Sequence, residues 1–133
     1  MKKSVCLLVG LAIVNLDAPA AFAQRFHQPI ARVGQCVMTR VTSVHQRLGD
    51  EHGNSAPGSG SAIELANGVY GVSYDQVRAV NRSRVGDRVR TCLISIPRHC
   101  PRGDDRGREY RTTNLRTHQS WTLPDSQHSC GGA

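Results

Sequence analysis

The chain has 133 residues, with 17 Lys and Arg against 10 Asp and Glu, a formal charge of +7 and 38% apolar residues. That length holds one domain rather than two, and the positive balance favours anionic partners over cationic ones. The longest apolar run, Val5 to Leu16, falls short of the ~20 residues that a membrane-crossing helix needs.

Lys2 and Lys3 precede that run and Ala21-Phe22-Ala23 follows it. A basic start, an apolar centre and an A-x-A end are the three parts of a secretory signal peptide. Residues 1–23 are therefore expected to be removed on export, leaving 24–133 as a single small β domain in the periplasm or the secreted fraction. Lys2, Lys3 and Asp17 leave with the signal, so the mature chain carries 15 arginines, nine acids and no lysine. Cys6 leaves too, and it precedes the apolar run, whereas a lipid-attachment cysteine follows one. Cys36, Cys92, Cys100 and Cys130 remain. An even number in a small exported chain reads as two disulfides. The preferred pairing is Cys36–Cys92, joining two strands, with Cys100–Cys130 closing the C-terminal part, and Cys92–Cys100 is the rival. The mature aromatics are only Phe26, Tyr70, Tyr74, Tyr110 and Trp121. A core so short of bulky groups gains from cross-links, typically ~2–4 kcal/mol each.

In chain order, Val37, Thr39 and Val41 alternate with Met38, Arg40 and Thr42, which predicts a strand within residues 34–48. Residues 49–60 have no apolar periodicity and several glycines, and they read as a flexible loop. In residues 61–74 the dipeptide Asn67-Gly68 fits a two-residue type I′ hairpin. Counting outward from it sets Leu65 against Tyr70 and Ile63 against Val72 on one face. Val77, Ala79 and Val80 then precede a turn at Val85-Gly86-Asp87. Residues 89–96 are β-branched and apolar, on both faces at their end, and are expected to be the most buried strand, stopped by Pro97. Residues 97–133 form a polar, arginine-rich tail with strand signals at 109–113 and 121–123. Short strands with turn signals between them indicate an all-β domain. The expected architecture is a small, partly open barrel of the SH3-like or OB-like kind, stabilised by disulfides, with a small β-sandwich as the alternative.

The chemistry-bearing residues are mostly arginines. Arg88 and Arg90 around one turn, and Arg106 and Arg108 in the tail, are the candidates for anion binding. Whether they bind depends on whether the two arginine-rich segments converge. The stretch 99–111 interleaves its arginines with Asp104, Asp105 and Glu109, so much of its field cancels locally. It also contains Arg102-Gly103-Asp104, an adhesion tripeptide that is at the same time ordinary turn chemistry. Read as a surface loop, it leaves Asp104 with little structural duty. His99, His128 and the cysteines lack metal-ligand spacing, and Asp125, Ser126 and His128 are too close together in sequence to act as a catalytic triad. No cofactor, metal or specific nucleic-acid motif is expected. The leading reading is a binding or structural protein whose basic surface suits an anionic polymer, a lipid headgroup or an envelope protein. The runner-up is a small ribonuclease-like hydrolase, with Glu109 as base, His118 as acid and Arg111 holding phosphate.

Overall fold

The computed structural model describes residues 26–49 and 54–132. The predicted signal peptide and part of the 49–60 loop lie outside the described residues. Six antiparallel strands make one sheet: β1 (Cys36–Gln46), β2 (Ser61–Leu65), β3 (Tyr70–Ser73), β4 (Arg88–Ser95), β5 (Glu109–Asn114) and β6 (Ser120–Pro124). Their order across the sheet is β3-β2-β1-β4-β5-β6, and a single short helix, α1 (Arg78–Asn81), carries the crossover from β3 to β4. The sheet curls into a half-barrel, the partly open barrel expected, and a single sheet excludes the sandwich. What lets the outer strands approach is a glycine. A Cβ on Gly71 of β3 would sit 3.2 Å from Ile63 Cγ2 and 3.3 Å from Leu123 Cδ1 of β6.

Period-2 alternation fills the interior. From β1, Val37, Thr39 and Val41 point inward; from β4, Val89, Thr91 and Leu93; from β5 and β6, Tyr110, Thr112, Trp121 and Leu123. Ile63 and Leu65 of β2, Val69, Val80 of α1 and Ile30 of the N-terminal segment complete the core. With so few large side chains, threonines occupy inward positions and their hydroxyls need partners inside the fold. Thr112 Oγ1 donates to Thr91 Oγ1 at 2.8 Å, and Thr39 Oγ1 donates to the Phe26 carbonyl at 2.7 Å.

Two sequence expectations need correction. The Asn67-Gly68 hairpin is one residue out of register: Ile63 pairs with Gly71 and Glu64 with Tyr70. The Gly68 N–H donates to the Leu65 carbonyl, the Leu65 N–H donates to the Val69 carbonyl, and Gly68 has φ 83°. The loop is therefore the three residues Ala66-Asn67-Gly68, a turn closed by a left-handed glycine. Apolar groups could not decide the register, because Ala62, Ile63, Leu65 and Val72 are all buried whichever face they occupy. The end of β4 is not buried on both faces either. A register shift between Leu93 and Ser95 marks a bulge, and Ile94 and Ile96 are exposed there.

Both disulfides take the preferred pairing. Cys36 and Cys92 are directly opposed across β1 and β4. Cys100–Cys130 ties the loop before β5 to the segment after β6. The tail is thus an integral part of the fold: its two strands form one wing of the sheet.

Candidate anion-binding surface

Strand periodicity decides where the arginines go. Val89 and Thr91 face inward, so Arg88 and Arg90 must face outward, two residues apart on one surface. Register then adds their neighbours. Arg40 of β1 is directly opposite Arg88, and Met38 is opposite Arg90. On the other flank Thr113 is opposite Arg90, and Arg111 is opposite Cys92, a diagonal neighbour of Arg90. Four outward arginines therefore cross three strands. Like charges directly opposed repel, and Arg40 is drawn aside: its Nη1 donates to the Gly86 carbonyl at 3.0 Å and its guanidinium lies 4.5 Å over the Phe26 ring. Arg90 Nη2 approaches Cys36 Sγ at 3.2 Å, beside the disulfide. Among the described residues, Arg88, Arg90 and Arg111 form no ion pair. On β5, Glu109 accepts a hydrogen bond from Ser95 Oγ at 2.8 Å.

Arg106 and Arg108 are placed quite differently. Arg106 grips Asp104 with Nε and Nη2, each at 2.8 Å, and Arg108 Nη2 reaches Asp105 at 2.6 Å. They sit before β5, at the end of the β4–β5 pair where Ser95 meets Glu109. Arg88 lies at the other end, where its carbonyl accepts the Leu115 N–H. Arg106 and Arg108 therefore stand apart from Arg88 and Arg90, and of the tail's arginines Arg111 joins the row.

Asp104 does more than a surface loop residue would. Besides Arg106, it accepts the Gly131 N–H at 3.0 Å, tying the loop to the C-terminal segment. The Arg106 guanidinium, helped by the Gly131 N–H, holds its carboxyl well below the usual carboxylate range. The adhesion tripeptide is a turn, with the Asp104 N–H donating to the Pro101 carbonyl and Gly103 at φ 84°. Its aspartate is committed within the fold. Asp125 is likewise structural, accepting the Gly107 and Arg108 N–H groups at 2.8 and 3.1 Å.

Of the ribonuclease candidates, Glu109 and Arg111 share the outer face of β5. His118 lies in the turn beyond Asn114, at the far end of the β5–β6 hairpin from Glu109. Five residue steps of strand are about 17 Å, well beyond hydrogen-bond reach. Cys100 and Cys130 are joined to each other, and the described residues contain no group of three or more metal-ligating side chains.

A buried polar network centres on Asp87. Asp87, 9% exposed, accepts from Asn114 Nδ2 at 2.8 Å, from the Arg84 N–H at 2.9 Å, and from Arg116 Nε and Nη2 at 2.6 and 2.7 Å. The Arg116 guanidinium above all, with Asn114 and the Arg84 N–H, outweighs burial and holds the Asp87 carboxyl far below its ordinary pKa. Asn114 also donates to Ser83 Oγ at 3.0 Å, and its Oδ1 receives the Arg116 and Thr117 N–H groups. This network fastens the turn before β4 to the turn after β5. Its only advance sign is that Asn114 falls on an inward position of β5, where a polar side chain needs buried partners.

Comparison with protein-family models, curated proteins and solved structures returns no match for this chain.

Proposed function

We propose that this chain is a small exported binding domain, periplasmic or secreted, that uses the outer face of its half-barrel to hold an anionic partner. The observation that carries the reading is the row Arg40, Arg88, Arg90 and Arg111 across β1, β4 and β5, with Glu109 as the acid on β5 and Glu64 on the neighbouring β2. Arginine is suited to this work because its planar fork meets phosphate or carboxylate with two parallel bonds. A row on a rigid sheet presents these forks without the entropy cost of ordering a loop. An anionic polymer, a membrane headgroup layer and an acidic patch on an envelope protein all supply that charge.

Binding of this kind acts through summed charge, so retention on an anionic matrix such as heparin should weaken steadily as salt rises. Arg88→Gln/Arg90→Gln should elute at distinctly lower salt than the parent. Salt-independent retention, or none, would remove the basis of the reading. Incubation of the same preparation with RNA tests the hydrolase alternative. Cleavage lost in both Glu109→Ala and His118→Ala would replace the binding reading with an enzymatic one. For export, mass spectrometry of the protein recovered outside the cytoplasm should give a chain beginning at Gln24 with no free thiol.

A further inference from the structure

A second concentration of arginine lies off the sheet face, at the end of the barrel fastened by Asp87. The turn after α1 and the turn between β5 and β6 leave a polar cleft of about 440 Å³ between them. Its walls include Arg82, Ser83 and Arg84 on one side and Arg116, Thr117 and Gln119 on the other. That volume is within the ~300–1,000 Å³ range of small-molecule sites.

The chemistry of an occupant follows from counting donors and charge. Arg116 has five N–H donors. Nε and one Nη2 hydrogen are spent on Asp87, and Nη2 also reaches the Arg82 carbonyl at 2.8 Å. Those bonds fix the guanidinium plane and leave the Nη1 pair uncommitted. Arg82 and Arg84 are exposed, and neither side chain has a partner among the described residues. The Asp87 charge is matched by Arg116, so the cleft keeps two uncompensated positive charges. A carboxylate would answer one of them. A phosphomonoester, with about −1.5 to −2 charge at neutral pH and three acceptor oxygens, answers both.

We infer that this cleft is a phosphomonoester-binding site, with Arg116 the preset anchor and Arg82 and Arg84 closing on the phosphate. It is separate from the sheet face, and it stands or falls independently of that reading. The ester could be a soluble one or one borne by a lipid. Val85, 70% exposed beside Arg84, is positioned to touch an acyl layer in the second case.

The test titrates the disulfide-intact protein with glycerol 3-phosphate by calorimetry, and measures its flotation with phosphatidylcholine vesicles carrying either phosphatidic acid or phosphatidylglycerol. Saturable binding of the monoester in at least one format is expected, with the diester lipid clearly weaker. Arg82→Gln/Arg84→Gln should weaken binding by about tenfold or more, since charge-assisted hydrogen bonds are lost. Neither side chain holds the fold, so the variant should melt like the parent. Arg88→Gln/Arg90→Gln should leave glycerol 3-phosphate affinity unchanged, which separates this site from the sheet face. Val85→Ser assigns the source: loss of flotation alone marks a lipid ester, and no change marks a soluble one. No saturable binding in either format, equal binding of monoester and diester, or indifference to Arg82→Gln/Arg84→Gln would each overturn the inference.

Discussion

The outer face of β4 and the loop from Cys100 to Arg108 have similar arginine content and end in opposite electrostatic states. In the loop, Asp104 and Asp105 stand two and three residues from the arginines they bind, and both pairs close locally. On β4 a period of two sends Arg88 and Arg90 to the same surface, and their cross-strand neighbours are Arg40, Met38 and Thr113. Among the described residues no acid pairs with them. Composition alone therefore says little about a basic surface; backbone periodicity decides which charges cancel.

The comparison can be broken at the staple. Replacing Cys100 and Cys130 with serine removes a cross-link of sequence separation 30. In the chain-entropy account this should lower stability by about 3.5 kcal/mol. Urea denaturation measures that loss, while heparin retention should stay near the parent's, because Arg106 and Arg108 pair within the loop itself. A large gain in retention would show that the staple, rather than local spacing, keeps Arg106 and Arg108 neutralised.

A smaller loss is expected at the other end. Asp87→Ala leaves Asn114 and the Arg84 N–H without a buried acceptor, and should cost about 3 kcal/mol. The pH dependence has a definite sign. The folded-state pKa of Asp87 is below its unfolded value of about 3.9, so the stabilisation is complete above that pH and is withdrawn as pH falls further. Melts at pH 5 and pH 2.5 should therefore differ more for the parent than for Asp87→Ala. Equal differences would place the acid sensitivity elsewhere, Asp104 being the other depressed carboxyl.

The smallest effects sharpen the comparison most directly. Each exposed arginine near an anionic surface contributes about 1 kcal/mol, so Arg88→Gln/Arg90→Gln should reduce affinity roughly tenfold or more. Arg106→Gln/Arg108→Gln removes charges already opposed by aspartates and should change it less than about threefold. Similar losses from both double variants would mean that the loop pairs open in the complex.

The all-β class, the inward alternation of β1 and the presence of two disulfides were legible because each rests on local patterning or on cysteine parity, whereas parity leaves three pairings open and the strand register chooses among them. The hairpin register was not. Ser61 to Leu65 buries four of its five residues, so hydrophobicity gave no preference between faces, and only the left-handed Gly68 fixes the three-residue loop. The arginine surface was half legible. Arg88 and Arg90 stand out in the sequence as arginines around one turn, whereas Arg40 and Arg111 join them through cross-strand register. Arg116 was invisible, since its importance comes from Asp87, 29 residues away.

The strand order has a kinetic consequence. Of the five strand pairings among the described residues, β1–β4 alone joins strands that are not consecutive in sequence, and the others are two tight hairpins and two pairs joined by longer loops. Chain-closure entropy must be met before such a contact returns anything, so this pairing is the natural late step of folding. Cys36 and Cys92 lie on that seam, 56 residues apart. Once oxidised, the chain carries its most distant pairing as a covalent memory, and after transient unfolding the two wings have only local strands left to find.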